Sequence, residues 1–150
     1  MLEILSSEDI ENMIEYNKGL VEEDGEIYDP DDVHKDILYK IPTWIDSFNY
    51  IENRRERMVK KTAQILGTIV YSQPFFNGNK RTALSMSRAY LLRNGFRLPV
   101  NTYQARKGIF DLLFKTVLKT ANDPTISTEI EDYLRIHLII KEGSSLSRAS

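Results

Sequence analysis

The four residues Gly78-Asn79-Lys80-Arg81 place a glycine and an amide side chain directly before two adjacent cations. They follow Asn77, and the Asn77-Gly78 dipeptide favours a tight turn because both residues tolerate positive φ at low cost. If a helix begins after that turn, its first backbone N–H groups have no partners within the helix. Such groups bind phosphate together with the helix dipole. The spacing therefore predicts an anion-binding site.

The two cations strengthen this prediction. Positively charged side chains are normally unfavourable at a helix N-terminus, where the helix dipole is already positive. Lys80 and Arg81 therefore indicate an anion that offsets the repulsion, and Gly78 allows that anion to approach the backbone closely. The alternative interpretation is a plain turn between two helices that carries two solvated cations.

The elements on either side of the turn must position it. Residues 54–71 have the clearest helical periodicity of the chain, with apolar side chains on one face and cations in the opening turns. Pro74 ends this helix. A second helix is predicted from Lys80 to Arg93, where Asn94-Gly95 supplies a left-handed C-terminal stop.

The rest of the chain predicts an all-α fold, a compact bundle of about six helices. The further helices expected are one opened by a cap at Ser6–Asp9, a short one at Val33–Lys40 stopped by Pro42, one at Thr102–Thr120 and a last one at Thr128–Lys141. The acidic segment 21–32 predicts an exposed loop, with room for one short β-hairpin. We expect one domain over residues 1–142 and a disordered tail over residues 143–150.

Composition excludes several classes of function. The chain has 150 residues, a net charge of -2 and no cysteine, which excludes a disulfide framework, a thiolate zinc site and a cysteine nucleophile. The basic stretch Arg54–Lys61 is typical of a solvated helix face, so we expect no nucleic-acid partner. Neither a signal peptide nor a membrane-spanning segment is indicated. These observations favour a cytoplasmic protein with no membrane partner.

The string QPFFNGNKRTA at residues 73–83 resembles the signature of the Fic/Doc superfamily, and especially of its Doc (death-on-curing) branch. In that branch the pattern is His-Pro-Phe-x-Asp/Glu-Gly-Asn-Lys-Arg-Thr-Ala. The resemblance continues through residues 84–98, LSMSRAYLLRNGFRL, and more loosely upstream to SSEDI at 6–10 and DPDDVHKDIL at 29–38. It implies a compact all-α domain, in agreement with the helices predicted independently.

The resemblance also implies roles for individual residues. Gly78, Asn79 and Lys80 would hold the phosphates of ATP or a related nucleotide, and Arg81 would contact the terminal phosphates. Phe75 would anchor the loop in the core. The family transfers part of a nucleotide, most often AMP and in the Doc branch a phosphate, to a hydroxyl on a target protein.

Two kinds of protein partner follow from the same resemblance. One is a target that carries a serine, threonine or tyrosine hydroxyl, and the other is an antitoxin. A flap upstream of the motif lays the target against the site, and here it would fall within residues 25–33, with Ile27 and Tyr28 as candidates. The alternative interpretation is that these two side chains only hold a loop against the protein surface.

Two departures from the family pattern bear on the chemistry. Gln73 replaces the histidine that serves as general base, and a glutamine amide can orient a hydroxyl but cannot take its proton. Asn77 replaces the carboxylate that holds the metal, and Mg²⁺ prefers charged oxygen ligands, so its affinity for this site should fall. Two hypotheses remain: transfer to a protein hydroxyl, or a binding module without catalysis. His34, His137 and the acidic loop are the other places where a base could be found.

Overall fold

A computed structural model describes residues 2–118 and 125–141. The helices are α1 (Ser7–Glu23), α2 (Lys35–Leu38), α3 (Ile41–Asp46), α4 (Arg54–Ser72), α5 (Asn79–Arg93), α6 (Tyr103–Val117) and α7 (Thr125–His137), and the strands are β1 (Phe96–Arg97) and β2 (Ile139–Ile140). Five helices are long and two are short, which confirms the predicted all-α bundle. The domain end at residue 142 and the tail at 143–150 lie outside the described residues.

Helix α4 is the centre of the bundle and packs against α3, α5, α6 and α7. It begins at an N-cap in which Asn53 Oδ1 accepts a hydrogen bond from the Glu56 N–H at 2.9 Å. Its apolar stripe, including Ile65 and Ile69, is fully buried. Burial of each such side chain contributes about 1.5–3 kcal/mol. The buried helix therefore fixes the position of the turn at its C-terminal end.

The turn between α4 and α5 is set by two residues with positive φ. Gln73 ends α4 in the left-handed conformation at φ 51°, and Pro74 follows it. Gly78 is the N-cap of α5 at φ 75°. The predicted helix after the turn thus begins at Asn79, one residue before the predicted start, because the glycine reverses the chain immediately ahead of it.

Several elements differ from the sequence prediction: α6 ends at Val117 before the predicted Thr120, and the last helix begins at Thr125 before the predicted Thr128. Pro42 was predicted to stop a helix, but it lies in the first turn of α3. Proline fits there because N–H groups in the first turn have no partner within the helix. The last helix ends at His137, and Ile139–Ile140 pairs antiparallel with Phe96–Arg97. The acidic loop contains a 3₁₀ turn at Pro30–Asp32 and not the predicted β-hairpin. Within the described residues, the strand pairing lies between β1 and β2.

In the described part of the chain, every helix is too short or too polar to cross a bilayer.

The segment before α1 is tied to α4 by a group of ion pairs around Glu3. Its carboxylate accepts hydrogen bonds from Arg57 Nε at 2.7 Å and from Lys61 Nζ at 3.2 Å. The side chain of Lys61 is only 1% exposed. The hydrogen bond from Arg57, opposed by burial and assisted by Lys61, lowers the pKa of Glu3 from 4.5 to about 2. The charged form of Glu3 is thus favoured by the fold.

We expect this lowered pKa to produce an acid-sensitive part of the stability. The contribution of Glu3 is fully present above pH 4.5 and is lost as pH falls towards 2, because the unfolded chain binds the proton first. Denaturant unfolding of wild type and Glu3→Gln at several pH values measures it. The difference between the two free energies of unfolding should shrink through that window. A difference independent of pH would contradict the assignment.

Candidate functional site

The predicted turn forms one wall of a pocket of about 310 Å³. The pocket is lined by Gln73, by residues 76–81 and by Phe110 of α6. Within it, α5 presents its N-terminus: the backbone N–H groups of residues 79–81 have no hydrogen-bond partner among the described residues. Unpaired N–H groups at a helix N-terminus are donors for an anion. The structure thus brings together the donors that the sequence indicated.

Lys80 adds a positive charge to this end of α5. Its Nζ lies 5.9 Å from the centroid of the Phe114 ring on α6, within the range of a cation–π contact. It forms no salt bridge with any described residue. The charge of Lys80 is therefore available to an anion in the pocket.

Arg81 instead has a carboxylate partner. Its NH2 donates to Asp24 Oδ2 at 2.7 Å, across from the end of α1, and both side chains are more than a third exposed. This hydrogen bond raises the pKa of the Arg81 guanidinium above its ordinary value. An exposed ion pair is worth little. An anion with two or three charges can therefore replace Asp24 as the partner of Arg81.

The side chain of Asn79 forms hydrogen bonds within the turn. Its Nδ2 donates to Phe75 O at 2.9 Å and to Gln73 Oε1 at 3.1 Å, and its Oδ1 accepts from the Phe75 N–H at 3.0 Å. The residue is 4% exposed and Phe75 is buried in the core at 3%. The amide of Asn79 therefore ties the loop together, and its backbone N–H is the group that faces an anion.

Gln73 is the C-cap of α4 and lines the pocket. Its Nε2 donates to Val70 O at 2.6 Å, and its Oε1 accepts the bond from Asn79. Both ends of the amide are thus used inside the protein, and the residue holds the left-handed conformation that ends α4. Since a side-chain amide does not accept a proton near neutral pH, Gln73 cannot act as a general base.

Asn77 lines the pocket beside Gly78. Its Oδ1 accepts from the Gly78 N–H at 2.8 Å, and its Nδ2 donates to Glu26 Oε1 at 3.0 Å. A neutral amide with both ends engaged does not fit Mg²⁺, which binds through charged oxygen ligands. Across residues 2–118 and 125–141, His, Cys, Asp and Glu side chains nowhere gather in a group of three that could hold a metal.

Asn17 of α1 belongs to the site, although the sequence analysis did not select it. It is 1% exposed, and its Nδ2 donates to Asn77 O at 2.7 Å and to Thr82 Oγ1 at 3.1 Å. One signal was present in the sequence: Asn17 lies four residues from both Met13 and Val21, so it occupies an apolar position on the buried face of α1. A polar residue there must have a buried partner.

The two flap candidates lie beside the site. Ile27 and Tyr28 line a small cleft together with Phe76 of the turn. Ile27 is 92% exposed and Phe76 is 70% exposed. Tyr28 is half-buried, with Lys18 Nζ 5.8 Å from its ring centroid, and burial raises its pKa. The structure therefore leaves exposed apolar side chains at the rim of the anion pocket.

Of the two histidines, one approaches the turn. The backbone N–H of His34 donates to Pro74 O at 2.8 Å, which holds the start of α2 against the turn, and the His34 side chain is exposed. His137 ends α7 and packs against the Tyr133 ring at 4.1 Å between centroids. His34 is thus the histidine that the fold brings next to Gln73.

A larger cleft of about 440 Å³ lies between α3 and α4. Its lining includes Trp44, Gln64 and Tyr71, and every lining side chain is neutral. It contains no helix N-terminus. Size alone therefore does not identify the site, since the charges and the unpaired donors suited to an anion lie in the smaller pocket.

Comparison with known proteins finds one family whose sequence model covers the turn. A sequence model of the Fic/DOC family matches residues 9–91, more than half of the 150-residue chain. The matched segment runs from α1 into α5 and includes the whole turn. Searches of curated proteins and of solved structures find no match.

Proposed function

The chain belongs to the Fic/DOC family, and from this premise we propose that it binds the phosphates of a nucleotide, ATP or a relative, at the N-terminus of α5. One observation carries the proposal: unpaired backbone N–H groups, Lys80 and Arg81 all border the same pocket. Negative charge is favoured at such a helix end. A protein target and an antitoxin remain predicted partners.

The family activity, AMP or phosphate transfer to a protein hydroxyl, places a further demand on the site. The hydroxyl oxygen forms a bond to phosphorus, and the bond from phosphorus to the leaving group breaks, which releases pyrophosphate in AMP transfer and a nucleoside diphosphate in phosphate transfer. The hydroxyl proton must pass to a base. Gln73 cannot accept that proton. We therefore propose that the chain retains nucleotide binding and that its transfer activity is strongly reduced.

A second candidate function is a binding module with no transfer at all. The hydrogen bonds of Gln73 to Val70 and Asn79 favour it, because they hold the amide within the turn, and an amide cannot take the proton of a hydroxyl. Incubation of the protein with labelled ATP in a cell lysate separates the two candidates. Slow labelling of a protein supports impaired transfer, and retained binding without labelling supports the module.

Arg81→Ala should weaken ATP binding by about 1.5 kcal/mol or more, roughly tenfold in Kd, as expected for a charge-assisted contact. Asp24→Asn should strengthen binding, because it removes the carboxylate that competes for Arg81 at 2.7 Å. Isothermal titration calorimetry measures both changes. Arg97→Ala is the matched control, since Arg97 is an exposed arginine on β1 and does not line the pocket. Equal affinities for wild type and Arg81→Ala would refute the assignment of the pocket.

A further inference from the structure

The orientation of one peptide group decides whether the turn offers a donor or an acceptor to an anion. In a trans peptide the C=O and the N–H point in opposite directions. No described peptide bond is cis, so the direction of the Asn77 carbonyl also fixes the direction of the Gly78 N–H. Position 78 has no Cβ and a φ of 75°, so the turn itself does little to prevent this peptide from rotating.

The Asn77 carbonyl is held on the side of α1. Asn17, which is 1% exposed, donates to it from Nδ2 at 2.7 Å in a partly buried contact between residues 60 positions apart. The Gly78 N–H consequently points away from α1. There it meets Asn77 Oδ1 at 2.8 Å, and Asn77 lines the anion pocket. A side-chain oxygen thus occupies the place that an oxygen of a bound anion would take.

We propose that Asn17 is the positioning residue of the anion site, which fixes the Asn77–Gly78 peptide so that its N–H faces the ligand. This inference rests on the proposed function. If the peptide rotated, the Asn77 carbonyl would turn towards the pocket, and a partial negative charge would replace a donor where phosphate binds. The second hydrogen of Asn17 Nδ2 goes to Thr82 Oγ1 at 3.1 Å, in the first turn of α5. Asn17 therefore also fixes the carbonyl relative to the helix.

Two substitutions separate this role from a merely structural one. Asn17→Leu keeps a side chain of similar volume and removes both hydrogen bonds, so the peptide is free to rotate. Thr82→Val removes only the bond from Asn17 to the helix and leaves the bond to Asn77 in place. Both variants lose buried hydrogen bonding, but only Asn17→Leu releases the peptide. If Asn17→Leu does not fold, Asn17→Ala takes its place, since its side chain is too short to reach Asn77.

The experiment is a titration with inorganic phosphate, followed by the amide resonances of glycine-labelled protein, which has only seven glycines. In wild type the Gly78 resonance should shift and saturate. In the folded Asn17 variant, the chemical shift of the Gly78 amide without phosphate should already differ from that of wild type. Phosphate should bind this variant at least about tenfold more weakly, the loss expected for one hydrogen bond to a charged ligand. Thr82→Val should bind within about threefold of wild type, since its Asn77 contact remains.

The possible failures have different meanings. No saturable shift in wild type would contradict the proposed function at this site. If wild type binds phosphate and a folded Asn17 variant binds it with equal affinity, the inference about Asn17 is overturned and the proposed function stands. Equal losses in the Asn17 variant and Thr82→Val would also overturn it, because the effect would then come from packing and not from the peptide.

Discussion

Gln73→His and Asn77→Asp in the same chain should raise the rate of transfer to a protein hydroxyl by about 10²–10⁴-fold, the usual contribution of general-base catalysis. Histidine is enriched among residues in the left-handed conformation, so it suits the φ of 51° at position 73. Its imidazole would provide the proton acceptor that the amide of Gln73 lacks. Labelling rates of wild type, both single variants and the double variant, each with Mg²⁺ in excess, measure the effect.

The two changes should reinforce each other. Asn77→Asp would place a carboxylate next to Glu26, whose Oε1 now accepts from Asn77 Nδ2 at 3.0 Å. Two adjacent carboxylates repel each other without a cation and form a suitable ligand pair for Mg²⁺. Base and metal act on one transition state, so the double variant should exceed the product of the single increases.

Two results would contradict this prediction in different ways. Wild-type labelling as fast as that of the double variant would show that another residue supplies the base. His34 is the first to test, because its backbone N–H is hydrogen-bonded to Pro74 O in the turn. A silent double variant with a competent target, and with nucleotide binding intact, would leave the binding module as the function.

Gly78→Ala should weaken phosphate binding about ten- to a hundredfold, roughly 1.4–2.7 kcal/mol. A Cβ on Gly78 would lie 3.2 Å from Asn17 Nδ2, so the Asn17 side chain that is hydrogen-bonded to the turn must shift. The φ of 75° adds a strain of about 1–2 kcal/mol for any side chain. Calorimetric titration with ATP and denaturant unfolding measure the two effects separately.

Gly95→Ala is the matched control for this prediction. Gly95 has φ 88° and lies just beyond the other end of α5, so the substitution imposes similar strain without touching the pocket. It should lower the free energy of unfolding by a similar amount and leave ATP affinity unchanged. If Gly78→Ala bound ATP as tightly as Gly95→Ala, close approach at the turn would not be part of the site.

The sequence predicted those features that depend on neighbouring residues. The helix after the turn follows from Asn77-Gly78, and α4 follows from its apolar stripe, because propensity and periodicity act over a few residues. The long helices and the turn before α5 could therefore be located before any contact was known.

Other features depend on contacts between distant parts of the chain. The strand Ile139–Ile140 was predicted as helix, and it is decided by pairing with Phe96 and Arg97. The contact of Asn17 with Asn77 and the ion pair of Arg81 with Asp24 join residues that are 60 and 57 positions apart. No local pattern encodes such distances. The sequence likewise does not show that the side-chain amide of Asn79 closes the loop through Phe75.

The central claim is that the N-terminus of α5 binds the phosphates of a nucleotide. The most direct test is a titration of isotope-labelled wild-type protein with ATP, followed through its backbone amide resonances. We expect saturable shifts at Gly78, Asn79 and Lys80, whose N–H groups border the pocket. Saturable shifts confined to Gly67 and the neighbouring α3–α4 cleft, or no shift at millimolar ATP, would contradict the claim.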